Sequence, residues 1–397
     1  MAASQRDWKS SLTSTGKSSR PNQADDLDGD IAVLEAADES INQNGLVGGT
    51  ASIESGSNGE PKSITSRLFR PQTILSFVAA LAILVFFFRR LNINYHEVWA
   101  NIKNANPAFF FAAAAVYYGA FIIRAVRWRM MLARAGIDGG HGYAVPDTPR
   151  LIDIFLQSWF LNCIVPAKLG DGYRSYLLKR DCKAPFSTSL GTILAERLVD
   201  LVVLFSTMSV MGVIAFRGKM PSQADNTIIG GAILLVIGGL AVAILWFFRD
   251  HLERFIPQKF HEQYRRLHDA IFACLRRPGT FAAISAVIWG CDGLRLFLVA
   301  KSLGADISLP MAVFVALMSS LVTTLPITPA GLGIVEVTMV AVLKVGGVPA
   351  SMGGSIAILD RVITYWSLIL IGAILYVRQL HRDVIKSGRA VDSAPAQ

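Results

Sequence analysis

Pro166-Ala167-Lys168-Leu169-Gly170 and Pro329-Ala330-Gly331-Leu332-Gly333 interrupt two apolar stretches with one shared pattern, Pro-Ala-x-Leu-Gly. Glu196-Arg197 follows the first proline by 30 residues and Asp360-Arg361 follows the second by 31, each couple inside a hydrophobic segment. Two matching interruptions with matching charged sequels make an internal repeat. Unwound backbone survives at membrane depth only where it lines a cavity or is buried in protein, so paired breaks in two halves point to a transport site.

Working outward, the composition is that of a polytopic membrane protein: 52% hydrophobic, 17% charged and a positive mean hydropathy over 397 residues. Apolar runs fall near 71–88, 107–123, 151–165, 187–216, 228–248, 279–300, 311–345 with a break, and 354–377. Most are close to the ~20 residues that cross a bilayer as a helix, and none alternates as a barrel strand would. The fold class expected is all-α, with about six full spans and two Pro-broken re-entrant hairpins in an inverted repeat.

The ends are different material. Residues 21–60 hold nine acidic residues and no Lys or Arg, in a segment rich in Ser, Asn and Gly, so 1–62 reads as a disordered acidic tail. The transmembrane domain is expected over 63–390, its halves near 107–216 and 279–377, with 391–397 again disordered. Gly16-Lys17-Ser18 lacks the upstream Gly and strand of a phosphate-binding loop and reads as chance. A first apolar run at 71 is too late for a cleaved signal peptide and reads as a retained anchor.

Cys163, Cys182, Cys274 and Cys291 show no CxxC spacing and the six histidines no paired-ligand pattern, so neither metal, cofactor nor disulfide is expected. Without the acidic tract the net charge rises from +9 to +18. The basic residues flank apolar runs, where orientation and anionic lipid account for them better than nucleic acid.

Lysine and arginine counts then set the topology. With the N-terminus cytoplasmic, beside Lys62, Arg67 and Arg70, a full crossing at 151–165 would send the loop with Arg249, Arg254, Lys259, Arg265, Arg266, Arg276 and Arg277 outside. If 151–180 instead enters, turns near Pro166 and leaves on the same side, that loop is cytoplasmic, as is the basic flank from Arg378 to Arg389. The hairpin at 311–345 then enters from outside, turning around Pro326 and Pro329. Gly119 to Arg124 matches Gly290 to Arg295 loosely, and a register pairing Arg127 with Arg295 fits as well. Arg124-Ala125-Val126-Arg127-Trp128-Arg129 reads as a headgroup anchor at a helix end.

A lone charge at the bilayer centre costs about 2.5–3.5 kcal/mol, so charges within spans must face protein or water. Glu196 and Asp200 share a helical face, and Arg197, three residues from Asp200, is expected to pair with it locally. Arg174, on the return arm of the first hairpin, is a candidate partner for the remaining acid and a phosphate ligand, with Asp171 beside it. The second half offers Glu336, Asp292 with Arg295, and Asp360-Arg361. Locking helices together and binding substrate are equally served by such pairs. Gly170, Gly172, Gly331 and Gly333 permit tight turns and close helix approach.

At these residues the chain resembles the lysylphosphatidylglycerol synthase transmembrane family, flippase-like integral membrane proteins related to the N-terminal half of the multiple peptide resistance factor. The likeness covers about 70–380. Asn162 to Arg174 is similar to the family's Asn, Pro, Leu-Gly-Glu and Arg pattern, with Asp171 where Glu is usual. Glu196-Arg197 with Asp200 resembles its Glu-Arg-x-x-Asp element, and Leu325 to Glu336 its Leu-Pro-x-x-Pro-Gly-Gly-x-Gly-x-x-Glu element, with Ala330 for the first Gly. Arg361 matches the last-span Arg. The resemblance implies a non-enzymatic flippase or scramblase of a charged or glycosylated lipid in the cell membrane, with both termini cytoplasmic and a lipid-modifying enzyme or glycosyltransferase as candidate partner. A secondary transporter of a small anion, and an intramembrane transferase acting through carboxylates, are the competing classes. No aminoacyl-transferase domain is expected in the roughly twenty residues after the last span.

Overall fold

A computed structural model describes residues 94–164, 169–216, 257–323 and 331–392 of the chain. The expected tail at 1–62, the expected spans at 71–88 and 228–248, and Pro166, Pro326 and Pro329 lie outside them. Among the described residues four helices are long and apolar enough to cross a membrane: Pro107–His141, Phe186–Ala215, Pro278–Ser302 and Ala350–Gln379. They coincide with the spans read at 107–123, 187–216, 279–300 and 354–377. Helix is the only regular structure among the described residues, and the chain is a multi-pass membrane protein.

A short helix, α1 (Tyr95–Lys103), precedes α2 (Pro107–Arg134), whose start is set by Pro107 at the first position and by the Asn106 side chain, which accepts from the Ala108 N–H at 2.9 Å. At 28 residues α2 is roughly 42 Å long, beyond the ~30 Å hydrocarbon thickness. Next come α3 (Thr148–Ile164), α4 (Gly170–Cys182) and α5 (Phe186–Ala215). An amphipathic α6 (His261–Leu275) leads into α7 (Pro278–Ser302), then α8 (Leu309–Val322) and α9 (Ile334–Val345). The last span is α10 (Ala350–Arg361), a π turn at Val362–Trp366, and α11 (Ser367–Asp392).

The central pair is α2 and α7, antiparallel along their length. The Asn106 N–H donates to the Ser302 carbonyl at 2.7 Å at one end, and Arg134 Nη1 donates to the Arg277 carbonyl at 3.3 Å at the other. Arg124 meets Asp292 between them at 2.9 Å.

Both broken segments are hairpins. Arg150, early in α3, pairs with Asp181, late in α4, at 2.7 Å, so the two ends of this hairpin lie together. Near its tip Ser158 donates to the Gly170 carbonyl at 2.7 Å, and the Gly170 N–H donates to Asn162 Oδ1 at 2.9 Å. A Cβ at Gly170 would collide with the Ser158 carbonyl oxygen and the Asn162 amide, so only glycine lets the arms close. In α8–α9 a Cβ on Gly346, just past the end of α9, would strike Met311 near the start of α8, while the Cβ of Gly331 would meet Thr323 near the break. Gly331 and Gly333, at φ 69° and 83°, turn the chain into α9 in the left-handed region.

The outer surfaces of the long helices are apolar: Phe111, Val202, Val213, Val287 and Leu370 are all more than half exposed. Inside, the core runs continuously from Val98 through Trp128, Phe155, Leu296 and Ile356 to Leu368. Polar groups inside with apolar groups outside is the distribution that lipid requires.

Gly170→Ala is expected to lower thermal stability in detergent by about 1–3 kcal/mol, because the added carbon meets backbone. Gly172→Ala, with nothing within 4 Å of its Cβ, should change it by less than about 1 kcal/mol; equal melting curves for the two variants would refute the close approach.

Candidate functional site

Helical spacing decides what α5 presents. Glu196 and Asp200, one turn apart, face inward, and Arg197, about 100° round from Glu196, faces out. Arg127 of α2 enters between the two acids. Its Nη2 lies 2.9 Å from Glu196 Oε1 and 2.9 Å from Asp200 Oδ2, while Nη1 takes Asp200 Oδ1 and the Ser285 hydroxyl of α7. Glu196 bridges two arginines, since its Oε2 accepts from Arg174 Nη2 at 2.8 Å. The Arg127, Arg174 and Glu196 side chains are at most 3% exposed.

Arg174 is also clamped by stacking. Its guanidinium carbon sits 3.8 Å from the Trp128 ring centroid and 3.7 Å from that of Phe155, one aromatic ring from α2 and one from α3. Its Nε and Nη1 meet no hydrogen-bond acceptor. The expected Arg174–Glu196 pair is therefore present, with cation–π contacts that helical spacing does not reveal.

The expected local pair between Arg197 and Asp200 is not formed. Arg197 turns instead to Asp171 at the start of α4 in a bidentate contact, 3.0 Å from Nε and 2.8 Å from Nη2. Asp200 is already taken by Arg127, which binds both of its carboxylate oxygens. The Arg197 side chain is 42% exposed although it lies roughly 17 Å along α5.

The second half repeats the plan. Arg295 of α7 pairs with Asp360 of α10, as Arg127 pairs with Glu196. Arg361 Nε lies 2.7 Å from Glu336 Oε1, just past the second break, as Arg197 meets Asp171 just past the first. Arg361 Nη2 also donates to the Gly331 carbonyl at 3.5 Å. Here the pair is buried, at 10% and 4% exposure. With Arg127 opposite Arg295, Arg124 falls opposite Asp292, and these two touch. Of the two registers the sequence allowed, this is the one the ion pairs follow.

The reading of Arg124 to Arg129 as a headgroup anchor is corrected. Arg124 and Arg127 are 4% and 1% exposed and belong to the buried network, whereas Arg129 is exposed. Hydropathy falls at 124 because three arginines crowd into six residues, yet α2 continues to Arg134 and buries Trp128, Met131 and Leu132 on the face of Arg124 and Arg127. That periodicity was the available signal. Ser285, the neutral ligand of Arg127, carries none.

The π turn follows the last charged couple directly. Tyr117 of α2 donates its hydroxyl to the Thr364 carbonyl at 3.3 Å, within the widened turn where the helix ladder shifts register. Among the described residues no group of three or more His, Cys, Asp or Glu is placed to hold a metal ion. The carboxylates of Asp171, Glu196, Asp200, Asp292, Glu336 and Asp360 each face a guanidinium, so the cluster is charge-balanced.

The chain is 30% identical over 235 residues to a UPF0104 membrane protein of Methanocaldococcus jannaschii, covering 57% of this chain and 97% of that one. A UPF0104 membrane protein of Methanothermobacter thermautotrophicus is 22% identical over 320 residues, covering 74% of this chain and 91% of its own. Glycosyltransferase AglD of Haloferax volcanii is 23% identical over 313 residues, 69% of this chain and 48% of that protein. The family model of the lysylphosphatidylglycerol synthase TM region matches residues 73–372, charged network and both hairpins included, and the chain belongs to that family.

Proposed function

We propose that this protein translocates a charged or glycosylated lipid across the cell membrane without chemically altering it. The observation that carries the reading is the Asp171–Arg197 pair, a bidentate ion pair midway along a spanning helix with its arginine open to the outside of the bundle. A guanidinium at membrane depth that faces outward can exchange its carboxylate for the phosphate of a lipid head group at no change in net charge. Asp171, released, then receives a head-group amine or hydroxyl. Acyl chains stay in lipid throughout.

The remaining architecture supports passage onward. The first hairpin opens toward the end of α2 that carries Arg129 and Arg134, and the second toward the opposite end, where Lys103, Lys301 and Lys344 lie. Lys179, Arg180, Lys183, Arg276, Arg277 and Arg378 crowd the first end, which is the cytoplasmic one by the positive-inside rule and places both termini there. In this reading the hairpins are re-entrant, the halves are inverted repeats, and Arg197 and Arg361 are successive phosphate stations. Arg174 and Glu196 between them, with Asp200 and Asp360, balance charge. Access alternates by rocking one half against the other, the exposed Asp171–Arg197 pair and the buried Glu336–Arg361 pair marking one of the two arrangements.

A second reading has one observation behind it. A relative named a glycosyltransferase matches this chain over about half its own length, so this protein can serve a separate glycosyltransferase as the subunit that presents its lipid-linked sugar. Stable co-purification of such an enzyme would favour it.

In proteoliposomes with labelled phospholipids and lipid-linked sugars, Arg197→Gln and Arg361→Gln are each expected to slow translocation by about 10–100-fold, the worth of a charge-assisted hydrogen bond. Wild-type rates in the double variant would sink the site. Arg127→Met should cost about 3–5 kcal/mol of stability by stranding Glu196 and Asp200, and adding Asp200→Leu should restore part of it. Thermal unfolding in detergent reads this, and an unaltered Arg127→Met melting curve would show that the pairs do not hold the bundle.

A further inference from the structure

A second basic feature lies away from the buried network. Arg134, the last residue of α2, Arg276 and Arg277, the junction between α6 and α7, and Ala273 line a cavity of about 380 Å³. Arg134 is held in place by two contacts. Its Nη1 donates to the Arg277 carbonyl at 3.3 Å, and its guanidinium carbon lies 4.8 Å from the Phe281 ring centroid. Both face it toward the other arginines.

No carboxylate pairs with any of the three among the described residues. Helix α2 contains no acidic residue, the first acid of α7 is Asp292, committed to Arg124, and of the two acids of α6 Glu262 is committed to Arg266 and Asp269 lies 3.4 Å from His268 Nδ1. The three arginines are exposed around an open concavity, and their summed positive potential favours an anion among them. The N-terminus of α7 adds to the positive potential: Arg277 is its N-cap, without a capping side chain, and Pro278 follows. The cavity lies where two apolar spans end, at the level of lipid head groups.

We propose that this cavity binds the phosphate of an anionic phospholipid head group, as a site separate from the translocation path. Arginine forks suit a phosphodiester, and basic pockets between spans at the cytoplasmic surface recognise anionic lipids. A lipid seated there links α2 to α7, whose antiparallel pairing joins the two halves, and neutralises charge that otherwise pushes their ends apart. It is a structural or regulatory lipid.

The test is titration of head-group-labelled phosphatidylglycerol into the full chain in neutral detergent, with wild type, Arg276→Gln plus Arg277→Gln, Arg276→Lys plus Arg277→Lys, and Lys344→Gln. The double Gln variant is expected to lose about 25-fold in affinity, about fivefold for each arginine. The double Lys variant should retain most of it, and Lys344→Gln, an exposed lysine at the opposite end of the bundle, all of it. Equal affinity of wild type and the double Gln variant overturns the proposal. Full displacement of the lipid by an equal concentration of inorganic phosphate overturns the lipid assignment in favour of a free anion. Because binding is read, the result stands apart from whether the protein translocates anything.

Discussion

Glu196 holds two guanidiniums at once, Arg127 from the helix before the first hairpin and Arg174 from the hairpin itself. In a low-dielectric interior neither a carboxylate nor a guanidinium is tolerable alone, and the desolvation of each is repaid only by close, well-formed pairing. The consequence is structural coordination. Helices α2, α4 and α5 cannot separate without exposing an unpaired charge, so the first hairpin keeps its place because its arginine is anchored. Arg295 with Asp360 and Arg361 with Glu336 impose the same condition on α7, α9 and α10.

The network is balanced but not uniform in burial. The pairs linking span to span, Arg127 with Glu196 and Arg124 with Asp292, are closed to the outside. Those linking each hairpin to the following span differ: Asp171 with Arg197 is open and Glu336 with Arg361 is enclosed. Span-to-span pairs therefore act as the frame. In the proposed translocation it is the Asp171–Arg197 and Glu336–Arg361 pairs that change partner, while Arg174–Glu196, closed like the span-to-span pairs, stays with the frame.

Much of this was legible beforehand. The paired Pro-Ala-x-Leu-Gly breaks identified both hairpins, and helical spacing put Glu196 and Asp200 on one face with Arg174 as a partner. Arg127 was misplaced, because a hydropathy window averages away a helix whose inner face is apolar and aromatic and also carries the two buried arginines, Arg124 and Arg127. The Arg197 partner was missed for a complementary reason. Spacing says which residues of one helix are neighbours, but an ion pair is decided by what the packed helices bring closer, and Asp171 comes from another element. The Trp128–Arg174–Phe155 stack depends on three helices meeting and has no linear signature.

The contact between Arg124 and Asp292 has a consequence for origin. In the inverted-repeat reading proposed above, these are corresponding positions of the two halves, and they touch each other rather than separate partners. Two identical copies of one half, associated as a homodimer, would set arginine against arginine or aspartate against aspartate at that contact. Joining the copies in a single polypeptide removes that restriction, since each copy can then mutate independently. Under that reading, opposite charges at this central contact are an arrangement available to a fused chain and closed to a symmetric pair.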